Sequence, residues 1–136
     1  AGPINTIDFI TISTLGNTLE FGDLITIRFG FSGCSNAVRG VFGGGSTTSP
    51  SISKTNVIDF ITIASTGNAT DFGDRTIADF YNGAACSPTR AVFSGDYQVV
   101  TMDAVEIMTT GNAVDFGDLT QGRLQNAGTS NGHGGL

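Results

Sequence analysis

The stretch "VIDFITIASTGNATDFGD" at residues 57–74 recurs as "TIDFITISTLGNTLEFGD" at 6–23 and, more loosely, as "TMDAVEIMTTGNAVDFGD" at 101–118. A phrase spelled three times within one short chain marks a structural unit copied side by side. Within it, "IDFITI" (58–63) alternates, placing Ile58, Phe60 and Thr62 on one face and Asp59, Ile61 and Ile63 on the other. Both faces are mostly bulky, which predicts a strand covered on both sides. "TGN" (66–68) predicts a turn, since Gly and Asn tolerate positive φ. "ATDFGD" (69–74) predicts a short second strand carrying one large ring, Phe72.

The remainder of each unit is also strand-like. "NGAACS" (82–87) is a run of small residues, and "TRAVFSG" (89–95) is apolar and ends in Gly; "GFSGCS" (30–35) and "VRGVFGGG" (38–45) are the same pair one unit earlier. The Phe-Gly-Asp triplets end at Asp23, Asp74 and Asp118, 51 and 44 residues apart. The difference falls in one connection, a Ser/Thr-rich loop at 43–56 against a shorter one at 94–100, and surface loops absorb such changes. A period of this size with four short antiparallel strands per unit suits a propeller blade and exceeds leucine-rich or ankyrin repeats.

Composition agrees with an all-β chain. Of 136 residues 39% are apolar and only 13% charged, against the roughly 25% usual for soluble domains. Gly numbers 20, Trp is absent and Phe supplies ten of the twelve aromatics. Such a mixture favours strands and tight turns over helices. The net charge of −6 argues against neutralising nucleic-acid phosphates. No apolar run is long enough for a membrane-spanning helix, and no signal peptide is expected.

The wording "IDFITIASTGNATDFGD" with "RGVFGGG" resembles the Kelch-like repeats of long structural proteins from tailed bacteriophages, especially marine ones. "VFGGG" matches the double-glycine ending of a Kelch second strand, "VIDFITI" its third, and Phe72 stands where the fourth carries Trp. Arg28 and Arg123 occupy the Kelch position before the first strand, whereas the middle copy has Asp79 there. The resemblance covers about residues 4–136 and implies four-stranded antiparallel propeller blades, about three of them, within a larger propeller. On that scheme 4–27 supply strands three and four of one blade, 28–75 and 76–120 two full blades, and 121–136 strands one and two of another. It further implies a non-catalytic virion protein, a tail-fibre or appendage segment on an extracellular particle. Its partners would be other virion proteins, further copies of itself, or a host surface glycan.

Physical reasons for the repeated residues stand beside the resemblance. Inner propeller strands are crowded, so Gly, Ala, Ser and Cys suit them; middle strands bury β-branched and Phe side chains on both faces. The Gly after the second strand permits a sharp turn where a Cβ would clash. Phe21, Gly22 and Asp23, Phe72, Gly73 and Asp74, and Phe116, Gly117 and Asp118 are therefore assigned as structural repeat positions. The three Asp carboxylates are expected to accept backbone N–H bonds in the following turn. Cys34 and Cys86, at similar places in successive units, are expected as buried free thiols.

Starting in a third strand and ending in a second, the chain is out of phase with whole blades, and propellers close with about four to eight. A segment of a longer polypeptide is expected; a ring of two copies exchanging half blades, or open stacking of subunits, are the alternatives.

Catalytic chemistry has little to build on. The single His, His133, stands in a glycine-rich stretch and is expected on the surface. Together with Tyr81 and Tyr97 it falls short of the ligand set of a copper-oxidase propeller, and no zinc spacing, nucleophile elbow or phosphate loop occurs. Asp71 with Asp74, and Asp115 with Asp118, do not follow known calcium-loop motifs and are read as turn-forming acids. Asn68-Ala69-Thr70 is a glycosylation sequon inside the repeated turn. Arg39 and Arg90 are expected to pair with repeated Asp residues. No cofactor, metal or catalytic residue is assigned. Recognition is expected in the loops that differ between copies, 46–54 and 95–100, with Asp96 and Tyr97 as the binding residues, since a Tyr can stack on a sugar ring. A secreted propeller lyase or glycosidase and a cellular Kelch adaptor are the competing functions.

Overall fold

A computed structural model describes residues 2–47 and 51–131. His133 and part of the 46–54 loop lie outside them. The described chain is all-β, with ten strands in antiparallel sheets of two, four and four strands. The first sheet pairs β1 (Thr6–Phe9) with β2 (Leu19–Asp23). The second is a meander of β3 (Ser32–Ser35), β4 (Arg39–Gly43), β5 (Thr55–Thr62) and β6 (Thr70–Asp79). The third repeats that order with β7 (Ala84–Cys86), β8 (Arg90–Phe93), β9 (Thr101–Glu106) and β10 (Val114–Asp118).

Strand β5 is covered on both faces at its centre, where Ile58 and Asp59 are both fully buried, and it opens to solvent towards Thr62. The core lies between the two four-stranded sheets. Val41, Ile58 and Phe72 from one meet Ala91, Phe93, Val105, Ile107 and Ala113 from the other. Phe60 and Phe72 meet edge to face with ring centroids 5.7 Å apart, a favoured aromatic geometry. Gly44, after β4, has φ +75°, and a Cβ there would lie 2.7 Å from Asp79 Oδ1. The sharp turn expected after "VFG" therefore needs glycine.

Two expectations are corrected. Cys34 and Cys86 are joined in a disulfide, their Cα atoms 5.8 Å apart. The small residues of β3 and β7 let equivalent strands of successive units approach far more closely than one unit's full width. The chain reversal also falls earlier than "TGN". Ser65 N–H donates to the Thr62 carbonyl at 3.1 Å, as Thr14 does to Thr11 and Thr109 to Glu106. The Gly-Asn pair that follows is thereby freed to bond to a neighbouring unit.

Candidate binding surface

The Phe-Gly-Asp strand ends and the Gly-Asn segments form one interface, and it occurs twice. Gly67 N–H donates to the Phe21 carbonyl at 2.8 Å and Ala69 N–H to the Asp23 carbonyl at 2.8 Å. In return Asp23 N–H donates to Asn68 Oδ1 at 3.0 Å. One unit later Gly111 bonds to Phe72 at 2.7 Å, Ala113 to Asp74 at 2.8 Å, and Asp74 N–H to Asn112 Oδ1 at 3.0 Å. Gly22 and Gly73 lie beneath the docked segments, and a Cβ on either would strike the carbonyl of Gly67 or Gly111. Phe21 and Phe72 are 7% and 2% exposed, but Phe116, at the end of the series, is 50% exposed.

The repeated acids that accept backbone bonds are not those expected. Among the described residues no hydrogen bond reaches the carboxylates of Asp23, Asp74 or Asp118. Asp59 Oδ2 instead accepts from Ile25 N–H at 3.1 Å, and Asp103 Oδ2 from Thr76 N–H at 2.9 Å. Fifteen residues before Asp74 and Asp118, the Asp of "IDF" and of "MDA" thus tie their own units to the one before.

Buried arginines complete both ties. Arg28 pairs with Asp59, with both side chains fully buried, and donates to the Phe42 carbonyl at 3.1 Å. Arg75 pairs with Asp103 at 2.9 Å and also with Asp79. Asp79 stands where the earlier unit has Arg28, and Arg75, four residues before it, supplies the missing guanidinium. Burial pushes the carboxyls of Asp59 and Asp79 up, Asp79 to about 6, against the opposing pull of Arg28 and Arg75. Desolvation likewise lowers the Arg28 guanidinium. Such pairs fix register more than they add stability.

Among the described residues neither Arg39 nor Arg90 pairs with a repeated Asp. Arg39 donates to the Ile107 carbonyl at 3.0 Å and stacks 4.4 Å from the Phe60 ring centroid. Arg90 pairs with Glu106 at 3.1 Å on the surface.

The two variable loops come together. Lys54 Nζ lies 2.6 Å from Asp96 Oδ2, joining the end of the first loop to the second. Asp96 is 1% exposed, and its other oxygen accepts from Gln98 N–H at 2.9 Å, closing a turn that pushes Tyr97 outward. Asp96 is thus buried and holds the turn, while Tyr97, 64% exposed, projects from it into solvent. Beside it opens a concavity of about 320 Å³ lined by Ile52, Lys54, Phe80, Tyr97, Gln98 and Leu124. Phe80 leans on Tyr81 with centroids 4.7 Å apart, and Lys54 Nζ sits 5.4 Å from the Phe80 centroid. Ile52 belongs to the 46–54 loop expected to take part, whereas sequence reasoning missed Phe80 and Leu124, which come from segments far apart in the chain.

Chemically this surface offers aromatic and aliphatic faces, a tyrosine hydroxyl and a lysine already paired to a carboxylate. It is suited to stacking and hydrogen bonding. Among the described residues no three His, Cys, Asp or Glu side chains gather closely enough to hold a metal ion. The chain matches no protein-family model and no curated protein sequence.

Proposed function

We propose that the chain is a non-catalytic virion component, a segment of Kelch-like propeller in the tail fibre or another exposed appendage of a tailed phage. The two four-stranded meanders would be blades, and the variable loops would contact other virion proteins or a host surface glycan. The observation that carries this reading is the convergence of both variable loops on one concavity beside Tyr97, whose lining contains none of the repeated Gly-Asn clamp residues. A repeated frame with one non-repeated surface separates rigidity from recognition. The disulfide between units supports an extracellular location, since such bonds persist in oxidising surroundings.

Immunoelectron microscopy with an antibody raised against the chain tests the proposal. Label on the tails of intact phage particles from the source sample is expected. Label confined to cells or secreted protein would contradict it.

A further inference from the structure

Each copy of the repeated phrase forms a concavity at its hairpin, running from the end of one strand across the reversal to the start of the next. The volumes are about 240 Å³ in the first unit, 280 Å³ in the middle one and 460 Å³ in the third. Equivalent positions line all three, among them Asn17, Asn68 and Asn112. Within so closely shared a frame, the residues that differ decide what each copy can hold.

The middle copy has a unit on either side of it, and with both in place it stays open. Nothing lies within 4 Å of where a Cβ on Gly67 would be. No charged side chain lines it. Thr62, Ser65, Thr66 and Thr70 are exposed at its wall, and none of their hydroxyls has a hydrogen-bond partner among the described residues. Two of these hydroxyls are scarce in the other copies: Thr66 stands where the first unit has Leu15, and Thr70 where the others have Leu19 and Val114. The third copy also has Ala104 in place of Phe60 and brings in Arg90, Glu106 and Asp115.

The clamp between units prepares the site. Asn68 Oδ1 accepts from Asp23 N–H at 3.0 Å, which fixes the amide plane and leaves Nδ2 unpartnered among the described residues. Gly67 and Ala69, bonded to Phe21 and Asp23, hold the wall on either side of it. Phe60, set edge to face against Phe72, and Ile61 supply the apolar part. Donors held in place before a ligand arrives lose little entropy on binding.

Hydroxyls that both donate and accept, an amide donor, a small apolar surface and no charge match the chemistry of a neutral saccharide. We propose that the hairpin of the middle unit binds one neutral sugar residue, with Thr62, Ser65, Thr66, Asn68 and Thr70 as its hydrogen-bonding groups. The volume falls just below the roughly 300–1,000 Å³ of drug-sized sites and suits a single ring. The site shares no lining residue with the concavity beside Tyr97, and it stands whether or not the chain belongs to a virion.

NMR titration of the isotope-labelled chain with glucose, galactose, mannose, N-acetylglucosamine and N-acetylgalactosamine, each in turn, tests it. Saturable amide shifts at Ser65, Thr66, Gly67, Asn68 and Thr70 are expected with at least one of these sugars. Thr66→Val combined with Thr70→Val removes two hydroxyls while keeping side-chain shape, and should weaken that binding at least about tenfold. Both residues are exposed and Val114 already stands at the second position, so the variant should fold, and its own spectrum verifies this. No saturable shift at these residues with any of the sugars overturns the proposal. So do shifts confined to Tyr97 and Gln98, or binding that the double variant leaves unchanged.

Discussion

Cys34 and Cys86 hold equivalent places in successive units, and their disulfide fastens β3 to β7, an edge strand of each four-stranded sheet. The bond spans 52 residues, for which loop-closure entropy predicts about 4 kcal/mol of stabilisation. Cys34→Ser with Cys86→Ser should lose roughly 2–4 kcal/mol in guanidinium unfolding. Reductant should destabilise the parent by a similar amount and leave the double variant unchanged.

Arg28 and Asp59 are a matched buried pair. Asp59→Ala strands a guanidinium in the interior and should cost about 3–5 kcal/mol. Replacing both with Leu should recover most of that loss, because no charge is then left unpaired. A double-mutant cycle by chemical denaturation measures the difference.

Asp79 adds a pH dependence whose sign is determined by burial. Its carboxyl rises from an ordinary 3.8 to about 6, through desolvation first and through the charges of Asp96 and Asp103, while Arg75 opposes. The folded state therefore holds a proton that the unfolded state releases between those values. The stability it contributes is complete below 3.8 and is lost as pH rises towards about 6. Asp79→Asn should gain on the parent as pH rises through that window, with the difference level above it. Thermal unfolding of both proteins from pH 4 to pH 8 reads this directly.

Tyr97 should matter for binding and not for folding. Tyr97→Ala removes an exposed ring and should change stability by no more than about 0.5 kcal/mol. Under the virion proposal it should weaken binding of the chain to host cells in a sedimentation assay. Lys54→Ala should do the same less directly, by releasing Asp96 from the turn that presents Tyr97.

The strands were legible because alternation, small-residue runs and the threefold phrase all point to the same elements. Each expected strand of the middle units is present, from "GFSGCS" to "ATDFGD". The disulfide was not legible, because joining Cys34 to Cys86 depends on how closely β3 and β7 approach, and spacing in sequence does not encode that. The purpose of Gly67 and Asn68 was misread for a related reason. Both suit a local turn, and only the neighbouring strand at Phe21–Asp23 reveals them as a clamp. Arg75 was hidden by alignment, since it does the work of Arg28 from a position four residues away. At the candidate surface the loops holding Ile52 and Tyr97 stand out by their length difference between copies, whereas Phe80 and Leu124 join them only in three dimensions.

Amide hydrogen exchange, resolved by NMR on the monomeric chain at low concentration, tests the repeated clamp most directly. The N–H groups of Gly67, Ala69, Gly111 and Ala113, with those of Asp23 and Asp74, should exchange slowly, although they lie at strand ends and turns. Their counterparts Gly16, Thr18 and Asp118, which make no such bond among the described residues, should exchange fast in this 136-residue chain. Equal, rapid exchange at all nine sites would mean that the sheets are not clamped together, and would contradict the interface on which the architecture depends.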